Sequence, residues 1–221
     1  MTEPVTIVVV DYGMGNRRSV EKALEHVGAR ASVSSDPAQL SAAAGLIVPG
    51  VGSFPLALQR LRARGLDQLL RERVATGVPV LGVCLGMQLA FESSTEHGGA
   101  TGLGILEGEV RQLRAGERKL PHIGWNEVRF QRASPLIGGL PERCAFYHVH
   151  SFAPAPAHEE DVLGIADYGA PFASAVQRDS FYGVQFHPEK SSAAGLRLLA
   201  NFTRICSASP ALSAAGAQAP R

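Results

Sequence analysis

The chain has 221 residues, enough for one sizeable hydrophobic core, and neither a Ser/Gly-rich linker nor a sustained charge run divides it, so a single domain over residues 1–206 is expected. Twenty-one Lys plus Arg against twenty Asp plus Glu leave a formal charge of +1, and no overall field recommends nucleic acid or an anionic membrane as partner. Three cysteines, Cys84, Cys144 and Cys206, are odd in number and far apart, which argues against a disulfide framework or a zinc knuckle.

The opening MTEPVTIVVVDYG carries an acidic residue where a secretory signal carries positive charge, and its apolar run is too short to span a bilayer. A soluble cytoplasmic protein is expected. Ile7 to Val10 is a β-branched run without polar alternation, the pattern of a strand buried on both faces of a parallel sheet. A helix should follow, capped by Asn16, with Val20, Ala23, Leu24 and Val27 on one face and Gly28 as its left-handed stop. Ala31 to Ser34 reads as a short strand. Leu46 to Val48 reads as another, ending at PGVGSF, and Leu56 to Leu70 carry helical spacing interrupted at Gly65. Val78 to Val83 then predict a strand and Leu85 to Glu92 a helix.

Repeated strand-then-helix order predicts an α/β fold: a mostly parallel central sheet with helices on both faces. The second half has another texture. Its runs ILEGEV, NEVRF, FYHVH, ASAV and FYGVQF are short and separated by Gly, Pro and charge, so additional antiparallel strands are expected there. Leu196 to Ile205 is again helical, and residues 207–221 lack periodicity and bulk, as in a frayed tail.

Several motifs invite chemistry and lose to plainer readings. Gly13 and Gly15 follow a strand and precede a helix, but Arg18 stands where a dinucleotide fingerprint needs its third glycine. That segment is better read as a turn or partner surface. His148 and His150 would face one side of a strand and could ligate a metal, yet no further ligand cluster completes a site, so a pocket or core edge is expected. Cys144 and Cys206 read as structural.

Cys84 differs. GVCLG is the cysteine counterpart of the nucleophile elbow, in which a strand turns sharply into a helix and flanking glycines avoid clashes. The turn projects the sulfur above the strand's C-terminal end, near a helix N-terminus that favours thiolate. A thiol nucleophile needs a base, and the base needs an orienter. FYGVQFHPEK offers both: His187 ends an apolar strand, Pro188 holds it to extended angles, and Glu189 two residues on can point the same way. Acyl transfer also needs oxyanion donors. The Leu85 N–H is the natural first, and the glycine-rich segment of residues 49–52 the second.

These residues resemble the cysteine-dependent, triad-class (class I) glutamine amidotransferases, whose fold is flavodoxin-like. The resemblance implies Cys84 as nucleophile, His187 as general base then acid, and Glu189 as its orienter, with a γ-glutamyl thioester and release of ammonia. It implies L-glutamine as substrate, no cofactor and no metal. Gly50 and Val51 would form the mobile part of the oxyanion hole opposite Leu85, and Gly52, Gln88, Glu96, His150, Ser151 and Phe152 the glutamine pocket. DYGMGNRRSV, PGVGSF, LPHIGWNEV, FYHVHSF and VQFHPEKSS resemble the branch serving histidine biosynthesis, over about residues 6 to 203. That branch implies a heterodimer with a separate (β/α)₈-barrel cyclase, since such a barrel alone needs about 250 residues. Asn16, His122, Trp125 and Lys190 are then its interface candidates. Other readings stay open: an amidotransferase serving anthranilate or guanylate synthesis, a subunit that binds glutamine without cleaving it, or a redox sensor with its cysteine on an elbow.

Overall fold

The computed structural model of the chain describes residues 5–209. In chain order the elements are β1 (Thr6–Val10), α1 (Arg17–His26), β2 (Arg30–Ser34), α2 (Pro37–Ala42), β3 (Gly45–Val48), α3 (Phe54–Arg62), α4 (Leu66–Ala75), β4 (Val80–Val83) and α5 (Leu85–Gln88). There follow β5 (Phe91–Ser94), β6 (Ala100–Thr101), β7 (Leu106–Gln112), β8 (His122–Phe130), β9 (Arg143–His150) and β10 (Phe152–Pro156). The chain closes with β11 (Val162–Asp167), β12 (Pro171–Arg178), β13 (Phe181–Val184) and α6 (Ser192–Ala208). Ser207 and Ala208, expected in a frayed tail, complete α6. Residues 210–221 lie outside the described residues.

A nine-stranded sheet runs in the order β2-β1-β3-β4-β13-β12-β11-β8-β9. From β2 through β13 its neighbours are parallel, and from β13 through β9 they are antiparallel. The antiparallel texture expected of the second half is present, except that β7 pairs parallel with β5 and β13 pairs parallel with β4. Strand β13 joins the parallel half and pairs antiparallel only with β12. A second, smaller sheet runs β10-β7-β5-β6, with β10 in contact with β12 of the large one.

The apolar run at β1 explains why helices cover both faces. Ile7 and Val9 enter one core cluster with Val20, Ala23 and Leu24 of α1 and Leu198, Leu199 and Phe202 of α6. Val8 and Val10 enter the other with Leu40 of α2, Phe54, Leu58 and Leu61 of α3, and Leu66 and Leu70 of α4. Side chains alternate across the strand, so each face needs its own cover. Burying each of these large residues contributes about 1.5–3 kcal/mol.

The break expected at Gly65 is present: the residue sits at φ 66° between α3 and α4. One helix expectation needs correction. The helix expected over Leu85 to Glu92 is a single turn ending at Gln88. Phe91 begins a strand instead, with its side chain in the second core and its backbone bonded to the β6–β7 segment; Gly102 N–H donates to Glu92 O at 2.7 Å. Tertiary pairing overrides helical spacing there.

Candidate active site

Cys84 follows β4 with φ 53° and ψ −110°, a left-handed conformation that costs a non-glycine residue about 1–3 kcal/mol. The surroundings enforce it. Its N–H donates to Val184 O of β13 at 2.7 Å, and the elbow closes tightly onto β3. A Cβ on Gly86 would lie 1.8 Å from Val48 O, and one on Gly82 2.6 Å from Gly86 O. The flanking glycines are therefore required by close backbone approach.

His187 reaches the same corner from β13, the parallel neighbour of β4 in which Val184 pairs with Val83. Its N–H donates to Tyr147 O at 2.9 Å, and its carbonyl accepts the Ser191 hydroxyl at 2.6 Å, while Ser191 Oγ accepts Tyr147 N–H at 3.0 Å. The backbone of His187 is thus strapped to β9. The Nδ1 atom lies 3.0 Å from Glu189 Oε1, with both side chains buried. A carboxylate only accepts, so Nδ1 carries the proton and Nε2 remains for the sulfur. Burial alone would pull the His187 pKa down, but hydrogen bonds and charge interactions with Cys84 and Glu189 outweigh it and raise it to about 10. Glu189 Oε2 is buried without a partner.

The expected route to that pair is wrong in one respect. Residues 187–189 do not stay extended; a 3-10 turn spans Pro188–Lys190, with Lys190 N–H donating to His187 O at 3.0 Å. Glu189 meets Nδ1 from the turn, because Pro188 suits the first position of a helical turn as well as it suits a strand end.

Cys84, Leu85 and His187 open into a cavity of about 260 Å³. Gly52, Gln88, Glu96, His150, Ser151 and Phe152 all lie on its wall, with Val51 and Lys190. The Gln88 Nε2 protons go to Phe152 O at 2.8 Å and Gln185 Oε1 at 3.0 Å, leaving its Oε1 as an acceptor. Glu96 also caps α3, its Oε2 accepting Phe54 N–H at 2.7 Å. Helix α5 makes its first bonds from Met87 and Gln88 N–H to Cys84 O, so the Leu85 N–H is left without an intrahelical acceptor. Gly50 stands behind the wall: a Cβ there would meet Leu85 Cβ at 2.6 Å and Gly86 N at 2.9 Å. The buried Tyr12 hydroxyl donates to Pro49 O at 2.6 Å and anchors the start of this segment, whereas Val51 is 46% exposed.

The class-I glutamine amidotransferase family matches residues 8–206. The chain belongs to that family. The imidazole glycerol phosphate synthase subunit HisH of Moorella thermoacetica is 50% identical over 199 residues, covering 90% of this chain and 94% of that one. The HisH of Symbiobacterium thermophilum is 51% identical over 199 residues, covering 90% and 93%. The structure of PurLQS from Thermotoga maritima shares the fold at a TM-score of 0.71 and 18% identity, over 93% of this chain and 98% of that one.

In this amidotransferase His148 and His150 do share a side of β9, and His122 of β8 joins them. His122 Nδ1 lies 3.2 Å from His150 Nε2, and its ring stacks on Tyr168 with centroids 4.0 Å apart. His150 Nδ1–H donates to Phe152 O at 2.9 Å, and His148 Nδ1–H to Phe146 O at 3.0 Å. Burial, with the neighbouring imidazoles, lowers His148 to about 2. Burial and the charge of His122 and His187 outweigh the Phe152 bond and lower His150 to about 3. Among the described residues no group of His, Cys, Asp or Glu is arranged to hold a metal.

The interface candidates separate. Trp125 is 55% exposed and Lys190 lies at the cavity rim, while Asn16 heads α1 half-buried and makes no side-chain cap bond. His122 is only 3% exposed, so it does not belong with that surface. Alternation along β8 turns Ile123 and Trp125 outward and His122 inward. Gln185, Ser191 and Tyr12 were not singled out from sequence. Gln185 carried a signal, as a polar residue in an apolar strand run. The other two are positioned by long-range bonds with no local pattern.

Proposed function

We propose that this chain is the glutaminase subunit of an imidazole glycerol phosphate synthase. It hydrolyses glutamine at Cys84 and delivers ammonia to a separate (β/α)₈-barrel cyclase in cytoplasmic histidine biosynthesis. The observation that carries the reading is that Cys84 and His187 open beside Gln88, His150 and Phe152 into one small cavity, with Glu189 bonded to the imidazole behind its wall. Identity near 50% with two HisH proteins over nine-tenths of the chain supports the choice of synthase over an anthranilate or guanylate one. A redox sensor would leave His187 and Glu189 without work.

His187 Nε2 takes the Cys84 S–H proton, and the sulfur attacks the side-chain amide carbon of glutamine. The oxyanion formed accepts the Leu85 N–H and a peptide of residues 50–51, and His187 Nε2–H gives its proton to the departing nitrogen. Ammonia leaves and a thioester remains. His187, now neutral, takes a proton from water as that water attacks, and glutamate departs with the thiol restored. Glu189 keeps the ring in one tautomer and stabilises its charged form. Ammonia released to neutral water is protonated and loses its lone pair, so an enclosed passage to the synthase is required.

The test is Cys84→Ala in complex with the cyclase. Glutamate release should disappear while product still forms from added ammonium salt. Retained glutaminase activity would exclude the assignment.

A further inference from the structure

We propose that Gln185 is a positioning residue for the nucleophile: its side-chain amide holds an N–H against the Cys84 sulfur and favours the thiolate. The proposal rests on Cys84 being the nucleophile but is tested without glutamine or a partner.

Gln185 is fully buried between Val184 and Phe186. Its Nε2 lies 3.5 Å from Cys84 Sγ, and its Oε1 lies 3.0 Å from Gln88 Nε2. An amide can be turned end for end, so the direction of this chain needs an anchor. Phe152 O supplies it. A backbone carbonyl only accepts, so the group 2.8 Å from it must be the NH₂ of Gln88. The second proton of that NH₂ then points at Gln185, which must present its oxygen. The Gln185 NH₂ is left facing the sulfur.

The sulfur therefore sits between opposed influences. Val149 O, 3.7 Å away, accepts from the S–H and favours the neutral thiol. The Gln185 N–H bonds more strongly to a charged sulfur and favours the thiolate, the reactive form. The other titratable groups around it are His187 with Glu189 behind, the Tyr12 hydroxyl, and Glu96, His150 and Lys190 on the cavity wall. Replacing Gln185 by Met, of similar length but with no N–H, changes none of these. The same amide also fixes Gln88, so substrate pocket and nucleophile share one buried support.

The experiment measures the rate of Cys84 alkylation by iodoacetamide against pH in the full chain, read by mass spectrometry. In Gln185→Met the midpoint should rise by about one pH unit, the scale of one hydrogen bond to a charged group, with alkylation about tenfold slower below it. Gln185→Glu keeps the shape, replaces the donor by an acceptor and should shift the midpoint in the same direction. In the wild-type chain, which needs no folded variant, the Gln185 side-chain ¹⁵N resonance should titrate with the thiol. An unshifted midpoint in either folded variant, or a ¹⁵N resonance blind to thiol ionisation, would overturn the proposal. Lost glutaminase activity with an unshifted midpoint would assign Gln185 to pocket shape alone and leave the proposed function standing.

Discussion

Cys84 and His187 leave the C-terminal ends of two strands that lie side by side and parallel, with the Cys84 N–H bonded to Val184 O across the gap. The pair therefore needs no loop closure to meet. Strand β13 arrives from the antiparallel half of the sheet and inserts beside β4, so the imidazole is delivered where the sulfur already stands. The open end of a parallel sheet is where such folds place ligands.

Glu189 bonds the imidazole and does not line the cavity, so in the proposed mechanism Glu189→Gln should separate orientation from charge. The amide can preserve the turn but cannot be relied on to hold the Nδ1–H tautomer or to stabilise the imidazolium. We expect kcat for glutamine hydrolysis in the cyclase complex to fall by about 10²- to 10⁴-fold, with KM changed much less. A steady-state assay of glutamate release decides it. A loss confined to KM would place Glu189 in substrate binding instead.

The strand-end elbow and the His-Pro-Glu were legible because each is a local pattern with a physical reason. Short apolar strands located β1, β3 and β4, and alternation located much of β8 and β9. Strands β5, β10 and β11 were not legible: Phe91 continues a helical spacing, and Phe152–Pro156 holds two prolines. Their pairing is decided by partners far along the chain. His122 shows the same limit at the site. The resemblance puts it among the interface candidates, whereas the β8 register opposite His150 turns its ring inward.

Opposite pKa shifts predict a stability maximum with a slope on each side. His148 and His150 are held neutral when folded, to about 2 and about 3, so the unfolded chain binds more protons as pH drops below about 6.5 and stability falls. His187 is raised to about 10, so its contribution is fully present below about 6.5 and is lost as pH climbs through 10. Each group contributes up to about 1.4 kcal/mol per pH unit within its window. Urea unfolding from pH 4 to 10 should show a shallower acid limb in His148→Gln and a shallower alkaline limb in Glu189→Gln. Unchanged limbs would contradict the assigned protonation states.

Gly50→Ala tests the segment opposite Leu85. The added methyl would lie 2.6 Å from Leu85 Cβ and 2.9 Å from Gly86 N, with the Tyr12 hydroxyl also at 2.9 Å, so the segment must shift away from the elbow. Glutaminase activity should drop at least about 10²-fold, the cost of losing one oxyanion donor, while ammonium-dependent synthesis by the complex persists. Gly86→Ala, with its methyl 1.8 Å from Val48 O, should fail at folding instead. Near-normal glutamine turnover in Gly50→Ala would remove this segment from the oxyanion hole.

Ile123 and Trp125 stand two residues apart on the outward face of β8, 60% and 55% exposed, with Tyr147 opposite Trp125 at a ring-centroid distance of 6.2 Å. An exposed tryptophan braced by a tyrosine is the composition of an interface anchor, and we propose that this face meets the cyclase. Trp125→Ala should weaken the complex by about 30-fold or more, the effect of a 2 kcal/mol anchor, while unfolding free energy stays within about 0.5 kcal/mol of wild type. Ile123→Asp should weaken it through the same surface by burying an unpaired charge. Isothermal titration of the cyclase into each variant measures both effects. Wild-type affinity in both would move the interface off β8, whereas a loss of affinity matched by a loss of fold stability would make Trp125 a packing residue.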